Sequence, residues 1–237
     1  MISRWLIYFS AGLLPLTAAT VTGRVDLRDS RDPAVRNRTD YSGIVVSLRP
    51  AQSAPAPAGG SGKHIVMLQK DKTFSPHVLA VPTGTMVDFP NADPIFHNAF
   101  SSYNGQIFDV GLYPPGSTRS VRFAREGVVR VFCNIHSEMS AVIVVVGSPF
   151  FAATKRDGAY EIAGVPPGEY DLTVFHERAA ESALRALSRK VVVGPDGASL
   201  PALTISEAGY LSIPHKNKYG HDYGEEPADR AGYPVKK

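Results

Sequence analysis

The sequence predicts an all-β protein. Short apolar or alternating segments recur along its 237 residues, and turn-forming Gly (21) and Pro (19) separate them. Strands joined by Gly and Pro turns at this spacing are typical of sandwiches and barrels. Helix-favouring runs are scarce, and the length suits one large or two small domains. The net charge of +3 is too small to favour a nucleic-acid partner.

The N-terminus is predicted to be an export signal. Arg4 supplies a positive charge, residues 5–16 form an apolar run that is short for a bilayer span, and residues 17–19 offer small side chains for cleavage. We therefore expect residues 1–19 to be removed, which leaves no stable membrane span and a periplasmic or secreted chain. A retained membrane or lipid anchor is the alternative, although no cysteine lies near the cleavage point.

Two strands and a linker are predicted before residue 63. Residues 20–25 alternate as a strand does, and 43–48 form a second apolar segment. The stretch 28–40 is rich in Arg and Asp and is expected to be a loop. Residues 51–62 are rich in Ala, Pro and Gly and are predicted to be a linker.

The middle block has the strongest strand pattern. Strands are expected at 64–68, 79–81, 86–89, 121–123, 128–133 and 141–146, with turns at 82–85, 90–94 and 114–116. In 128–133, Val129, Val131 and Cys133 share one face, which predicts a core-facing thiol. Residues 141–146 are apolar on both faces, so a covered strand is expected.

The last block continues the β pattern and adds one helix. Strands are predicted at 158–162, 170–174, 191–193 and 203–205, with a tight Pro-Pro-Gly turn at 165–168. Alanine and leucine recur at helical spacing in 179–187, so a short amphipathic helix is expected there. Beyond residue 209 the chain is polar, aromatic and rich in Gly and Pro, which indicates an extended tail.

Cys133 is the single cysteine of a chain predicted to be exported, where thiols are usually paired as disulfides. Together with His136 and Met139 it follows the pattern C-x2-H-x2-M. A thiolate, an imidazole and a thioether make a soft ligand set, and two His, one Cys and a long axial Met suit one-electron copper chemistry. His97, just after the break at 91–94, is the best candidate for the second histidine. These four residues are predicted to hold one copper ion, with a ring edge of His136 toward solvent.

These residues also have other interpretations. A buried Cys or Met is often an inert core residue, and a lone His is often a surface one. Zinc is disfavoured because its structural sites use more thiolates and rarely use Met. Haem attachment through C-x-x-C-H and a thiolate-bridged binuclear copper centre each need a second cysteine. The rival histidine ligands are His64, His77, His215 and His221. His77 is expected on a solvent-facing strand position, and the tail pair His215 and His221 are candidates for an auxiliary metal.

Residues 64–146 resemble a cupredoxin, the blue-copper fold. The motifs that carry the resemblance are Phe74-Ser75-Pro76, Gly84-Thr85-Met86-Val87-Asp88-Phe89-Pro90-Asn91, Phe96-His97-Asn98 and the Cys133 loop. The loop spacing is similar to that of amicyanin, the electron carrier of methylamine oxidation, and larger methylamine-utilisation proteins are similar over more of the chain. The resemblance implies a Greek-key sandwich, a type 1 copper site, and Asn98 as the residue that ties the two ligand loops together. It also implies a redox protein partner, such as a c-type cytochrome or a dehydrogenase.

The segment 158–172 resembles the carboxypeptidase regulatory-like (transthyretin-like) β-sandwich. That family begins with strands like 20–25 and 43–48, which here precede the copper block. We therefore expect a split sandwich of 20–50 plus 148–207, with a copper domain of 63–147 inserted in it or packed beside it, and a tail at 208–237. A separate N-terminal extension is the alternative. Related folds bind carbohydrate, but no Trp after residue 5 offers an aromatic platform.

Three classes of function stay open at this point. The prediction is an exported electron carrier rather than an enzyme. A copper oxidase or reductase would need a second, His-rich centre, and the seven histidines are dispersed. A non-redox copper-binding or carbohydrate-binding-like envelope module is the third possibility.

Overall fold

The computed structural model describes residues 19–37, 40–52, 62, 64–102, 105–211 and 214–224. Nearly all of the predicted signal, most of the predicted linker and the end of the tail lie outside these ranges. Among the described residues, no helix has the length and apolar character needed to cross a membrane.

The described residues form eighteen strands and two short helices, which confirms the all-β prediction. In chain order the elements are β1 Ala19–Arg28, α1 Pro33–Arg36, β2 Val45–Pro50, β3 His64–Val66, β4 Leu68–Lys70, β5 Thr73–Ser75, β6 Val78–Pro82, β7 Thr85–Pro90, β8 Phe100–Ser101, β9 Phe108–Asp109, β10 Thr118–Phe123, β11 Gly127–Phe132, β12 Ser140–Val146, β13 Phe150–Ala153, β14 Ala159–Val165, β15 Gly168–Phe175, α2 Glu181–Leu187, β16 Arg189–Val193, β17 Ala198–Ser199 and β18 Leu203–Ser206.

Both helices are short, and only one was predicted. The helix expected within 179–187 is α2, which buries Leu184. The expectation of a loop throughout 28–40 is wrong at α1. There the side chain of Asp32 accepts a hydrogen bond from the Ala34 N–H, and Pro33 occupies the first turn. A single capped turn has no periodic pattern, so the sequence gives little sign of it.

The first sandwich combines strands from two separate stretches of the chain. One sheet has the order β14-β1-β17, with β18 also paired to β1, and the other has the order β13-β2-β15-β16. Alternate residues of both sheets, including Val25, Leu48, Ile162, Leu172 and Leu203, form one buried cluster. Thus β1 and β2, which precede residue 63, pair with strands that follow residue 147.

The second sandwich carries the predicted metal residues. Its sheets have the orders β10-β7-β3 and β6-β12-β11-β8-β9, and a two-stranded ribbon of β4 and β5 lies beside them. Val129, Val131 and Cys133 are fully buried in its core, whereas Arg130 is exposed. The prediction that the thiol faces the core is therefore confirmed.

The two sandwiches share an apolar interface along β12. Ala141, Ile143 and Val145 point into the second core, while the alternate valines of the strand point the other way. Those valines, with Val45 of β2, form a third buried cluster, against which pack partly buried residues that include Phe151 and Phe175. Burial of each such side chain contributes about 1.5–3 kcal/mol. The second apolar face of 141–146 is thus explained by contact with the first sandwich.

A polar contact also crosses from one sandwich to the other. Nε2 of His77 lies 2.6 Å from a carboxylate oxygen of Glu177, and an Arg130 N–H donates to the other oxygen at 3.3 Å. The Glu177 hydrogen bond raises the pKa of His77. Burial alone would raise the pKa of Glu177, but His77, Arg130 and Arg178 outweigh it and lower that pKa. The His77 side chain is 52% exposed, which confirms the predicted exposure, but His77 lies just before β6 rather than in a strand.

This pair is expected to make stability depend on pH. The raised pKa of His77 stabilises the fold below the ordinary value of 6.5, and this contribution is lost as pH rises through the folded pKa. The lowered pKa of Glu177 stabilises the fold above the ordinary value of 4.5, and this contribution is lost as pH falls through the folded pKa. Glu177→Gln should therefore cost about 1 kcal/mol more at pH 5.5 than at pH 8.5 in urea unfolding. Glu161→Gln, on the exposed face of β14, is the control, and equal losses at both pH values for Glu177→Gln would contradict the prediction.

Candidate metal centre

The first ligand loop follows β7 and is shaped by a turn at Asn91. The Asn91 side chain accepts from the Asp93 N–H at 3.0 Å and donates to the Ile95 carbonyl at 2.8 Å. This side-chain turn folds the predicted break at 91–94 back on itself. His97 then pairs with Tyr113 through two backbone hydrogen bonds of 3.2 and 2.9 Å, and the Tyr113 hydroxyl donates to the Phe89 carbonyl. The backbone of His97 is thereby held against the sheet.

The second ligand loop connects β11 to β12. These strands pair up to Phe132 and Ser140, so residues 133–139 must turn between two adjacent strand ends. The Cys133 N–H donates to the Met139 carbonyl at 3.0 Å, and the Met139 N–H donates to the His136 carbonyl at 3.2 Å. These two hydrogen bonds close the seven-residue loop and keep the backbones of Cys133, His136 and Met139 close together.

Three donor atoms from the two loops converge on one point. Nδ1 of His97 lies 3.2 Å from Nδ1 of His136 and 3.9 Å from Sγ of Cys133, and the latter two atoms are 3.5 Å apart. His97 and Cys133 are fully buried, and His136 is 7% exposed. Among the described residues, these three form the cluster of His, Cys, Asp and Glu side chains with the spacing of a metal site.

The spacing and chemistry of these donors fit a single metal ion. Metal–nitrogen and metal–sulfur bonds of about 2.0–2.3 Å place donors around one ion roughly 3–4 Å apart, as they are here. One thiolate with two imidazoles is a soft set that suits copper. The site is also shielded from water, because its donors are buried in the second core. The residues present therefore fit the copper ion that the sequence predicts.

Met139 and Asn98 lie beside this cluster. Met139 is fully buried in the same core as Cys133, and its backbone closes the ligand loop. Asn98 is also fully buried, and its side-chain amide donates to Asp109 at 2.8 Å. Its side-chain oxygen is buried without a hydrogen-bond partner among the described residues. Asn98 thus connects directly to Asp109, whereas the resemblance implied a tie to the second ligand loop.

The rival histidines have other neighbours. His64 lies 2.9 Å from a carboxylate oxygen of Asp88, and His77 pairs with Glu177 as described above. His215 stacks on Phe132, and His221 is exposed. The structure thus brings His97 and His136 to Cys133 and leaves these four histidines outside that cluster.

Asp93 orients the His97 ring and was not predicted. Its carboxylate accepts from Nε2–H of His97 at 2.7 Å and from the backbone N–H groups of Asp71 and Lys72. Because a carboxylate only accepts hydrogen bonds, Nε2 carries the proton and Nδ1 keeps its lone pair for a metal. Burial alone would raise the pKa of Asp93, but these donors hold it below its usual range. Burial lowers the pKa of His97, which keeps that ring neutral.

Loss of the Asp93 carboxylate is expected to weaken copper binding. Removing such a hydrogen-bond partner of a ligating histidine typically lowers metal affinity by about 10–100-fold. We expect copper affinity to fall about tenfold in Asp93→Asn, which keeps a hydrogen-bond acceptor, and by close to 100-fold in Asp93→Ala. Affinity would be measured by competition with a copper chelator. Asp88→Asn, which alters the other Asp–His contact at His64, is the matched control, and equal affinities for it and Asp93→Ala would refute the role.

Several solved structures are similar to part of this chain. It is similar to a purple cupredoxin from Nitrosopumilus maritimus, with 26% identity, a TM-score of 0.31, and coverage of 35% of this chain and 99% of that one. It is similar to a reduced variant of amicyanin, with 20% identity, a TM-score of 0.34, and coverage of 43% of this chain and 98% of that one. It is also similar to a copper-containing nitrite reductase from Thermus scotoductus, with 23% identity, a TM-score of 0.34, and coverage of 49% of this chain and only 27% of the reductase. No protein-family model and no curated protein matches the sequence.

Proposed function

We propose that this chain is an exported type 1 copper protein that transfers single electrons between periplasmic redox proteins. The observation that carries the proposal is the convergence of Nδ1 of His97, Nδ1 of His136 and Sγ of Cys133. The predicted fourth ligand, Met139, is buried in the same core. When bound, the copper ion would supply one-electron Cu(II)/Cu(I) chemistry. The donor and acceptor would be proteins such as a c-type cytochrome or a dehydrogenase.

The residues around the site suit electron transfer with little rearrangement. His97 is fixed by the sheet and by Asp93, and the Cys133 loop is closed by its own backbone hydrogen bonds. A rigid ligand set changes little between two oxidation states, which lowers the cost of each electron step. His136 is the one of the four proposed ligands with any exposed surface, 7% against 0% for the others. We assign it the predicted role of electron port.

The domain organisation is part of the same proposal. Pairing of β1 and β2 with β13, β14 and β15 supports a split sandwich of 20–50 plus 148–207 into which the copper domain, 63–147, is inserted. The carboxypeptidase regulatory-like family and the link to methylamine utilisation stay predictions, as does cleavage of a signal within residues 1–19.

Copper loading of the purified chain tests the function. We expect one copper per chain by metal analysis, an intense visible charge-transfer band, and a reversible Cu(II)/Cu(I) wave in voltammetry. Bound copper without band or wave would favour the non-redox envelope module. More than one tightly bound copper per chain would favour an oxidase or reductase instead.

A further inference from the structure

Part of the C-terminal tail contacts residues that adjoin the metal centre. Residues 214–224, which we call the strap, contain no helix or strand among the residues described, yet they lie against the second sandwich. We propose that the strap is a positioning element of the metal site, which holds the Cys133 loop in place and links it to the His97 loop. The link to copper rests on the proposed function, whereas the effect on the Cys133 loop does not.

The strap contacts three successive residues, the last of β11 and the first two of the second ligand loop. The His215 ring stacks on Phe132, with ring centroids 4.0 Å apart and planes inclined by 28°. The Tyr223 hydroxyl donates to the Cys133 carbonyl at 2.7 Å. The backbone N–H of Lys218 donates to the side-chain oxygen of Asn134 at 2.9 Å. The strap therefore contacts the carbonyl of Cys133 and the side chains of the residues on either side of it.

The strap also reaches the loop of the other ligand. Nζ of Lys218 lies 2.7 Å from one carboxylate oxygen of Asp109, and the other oxygen accepts from the Asn98 amide at 2.8 Å. Asn98 follows His97 directly. A continuous chain of polar contacts therefore runs from the His97 loop through Asp109 and Lys218 to Asn134. The tie between ligand loops that the resemblance assigns to Asn98 is completed here by the tail.

The strap has an internal turn that brings Lys218 and Tyr223 to the protein surface together. The Asn217 side-chain oxygen accepts from the backbone N–H groups of Tyr219 and His221 at 3.0 and 3.1 Å. His215 lies 3.2 Å from the Tyr223 hydroxyl. In this turn Lys218 and Tyr223 face the protein, while Tyr219 is 69% exposed and the Lys216 side chain 47% exposed. Lys216 pairs with Asp222, and the Tyr219 ring lies 5.3 Å from Nζ of Lys218, so the described side-chain contacts of these two residues stay within the strap. The segment therefore contains, of each type, one residue that reaches the ligand loops and one that contacts the strap itself.

Thiol reactivity of the metal-free protein tests the strap without copper. Cys133 is the single thiol, so modification by a chromogenic disulfide reagent reports on that loop alone. A buried thiol reacts when its surroundings open locally, so contacts that hold the loop slow the reaction. Loss of one such hydrogen bond should raise the rate about fivefold in Tyr223→Phe, and about as much in Lys218→Met. Tyr219→Phe and Lys216→Met, the matched controls, should stay within about twofold of the parent protein.

A spectroscopic measurement distinguishes positioning from general stability. In copper-loaded protein, Tyr223→Phe should shift the visible band, whereas Tyr219→Phe should not, because only the first changes a contact of Cys133. Urea midpoints of the metal-free variants show whether global unfolding contributes to the thiol rates. If the parent chain shows no band, the proposed copper function fails while the thiol rates still decide the strap. Equal thiol rates for the contacting and control variants, or equal increases in all four, would overturn the inference.

Discussion

Cys133→Ser is expected to abolish the intense visible band of the copper-loaded protein. The band arises from charge transfer between a thiolate sulfur and copper, and Cys133 is the single sulfur of that kind in the chain. Serine keeps the size of the side chain and removes the soft donor. Absorption spectra at matched protein and copper concentrations would measure the change, with metal analysis to report how much copper remains bound.

Met139→Leu is the matched control for this substitution. Leucine has nearly the volume of methionine, so a fully buried position should tolerate it at a cost below about 1.5 kcal/mol. The band should persist with altered position or intensity, because an axial thioether is a weak, long ligand. A band that survives in Cys133→Ser would show that the copper lies elsewhere. Complete loss of the band in Met139→Leu would contradict the weak axial role assigned to Met139.

Folding of Cys133→Ser must be established in the same experiment. The serine hydroxyl would lie beside Nδ1 of His136 and Nδ1 of His97, which can accept its proton. The substitution should therefore cost no more than an unsatisfied buried polar group does, about 1–3 kcal/mol. Circular dichroism of the metal-free variant should still show a β-sheet spectrum with a lower melting temperature. The absence of the band is then attributable to the missing sulfur.

The sequence predicted the strands and the second ligand loop because both depend on local pattern. Alternation in 128–133 assigns Cys133 to the core face, and two apolar faces in 141–146 indicate a covered strand. The spacing of Cys133, His136 and Met139 confines three donors to one hairpin loop. A prediction of this kind needs only residues that are close in the chain, which is why the structure confirms the strand parity.

Asp93 and the strap could not be predicted in the same way. Asp93 lies in a stretch whose Pro and Asn residues indicate a turn, and nothing local shows that its carboxylate meets the His97 ring. The contact of Tyr223 with Cys133 joins residues 90 positions apart. The tail composition is typical of unstructured segments, so its hydrogen bonds become visible only when both loops are in place. Polar contacts between loops that are far apart in the chain leave no periodic pattern in the sequence. The residues that surround the metal ligands are therefore harder to predict than the strands.

A buried polar network ties the ends of the proposed split sandwich. One carboxylate oxygen of Glu207 accepts from His176 at 2.7 Å and from Arg178 at 3.0 Å, and the other accepts from the Ser30 hydroxyl. The Glu207 side chain is 3% exposed and that of His176 is 6% exposed. Burial lowers the pKa of His176, so this ring is neutral at pH 7 and donates its Nε2 proton to the carboxylate. Arg178 supplies the compensating charge.

Glu207→Ala is therefore expected to destabilise the protein by about 3 kcal/mol, because the buried His176 and the part-buried Arg178 and Ser30 lose their acceptor. For a chain of this size the melting temperature should fall by roughly 6–12 °C. Glu161→Ala, which removes an exposed carboxylate from β14, should change stability by no more than about 0.5 kcal/mol. Ser30 precedes residue 63, whereas His176, Arg178 and Glu207 follow residue 147, so only the Ser30 share of the loss reports on contact between the two parts of the proposed split sandwich. Equal melting temperatures for the two variants would show that the network contributes nothing beyond an ordinary surface carboxylate.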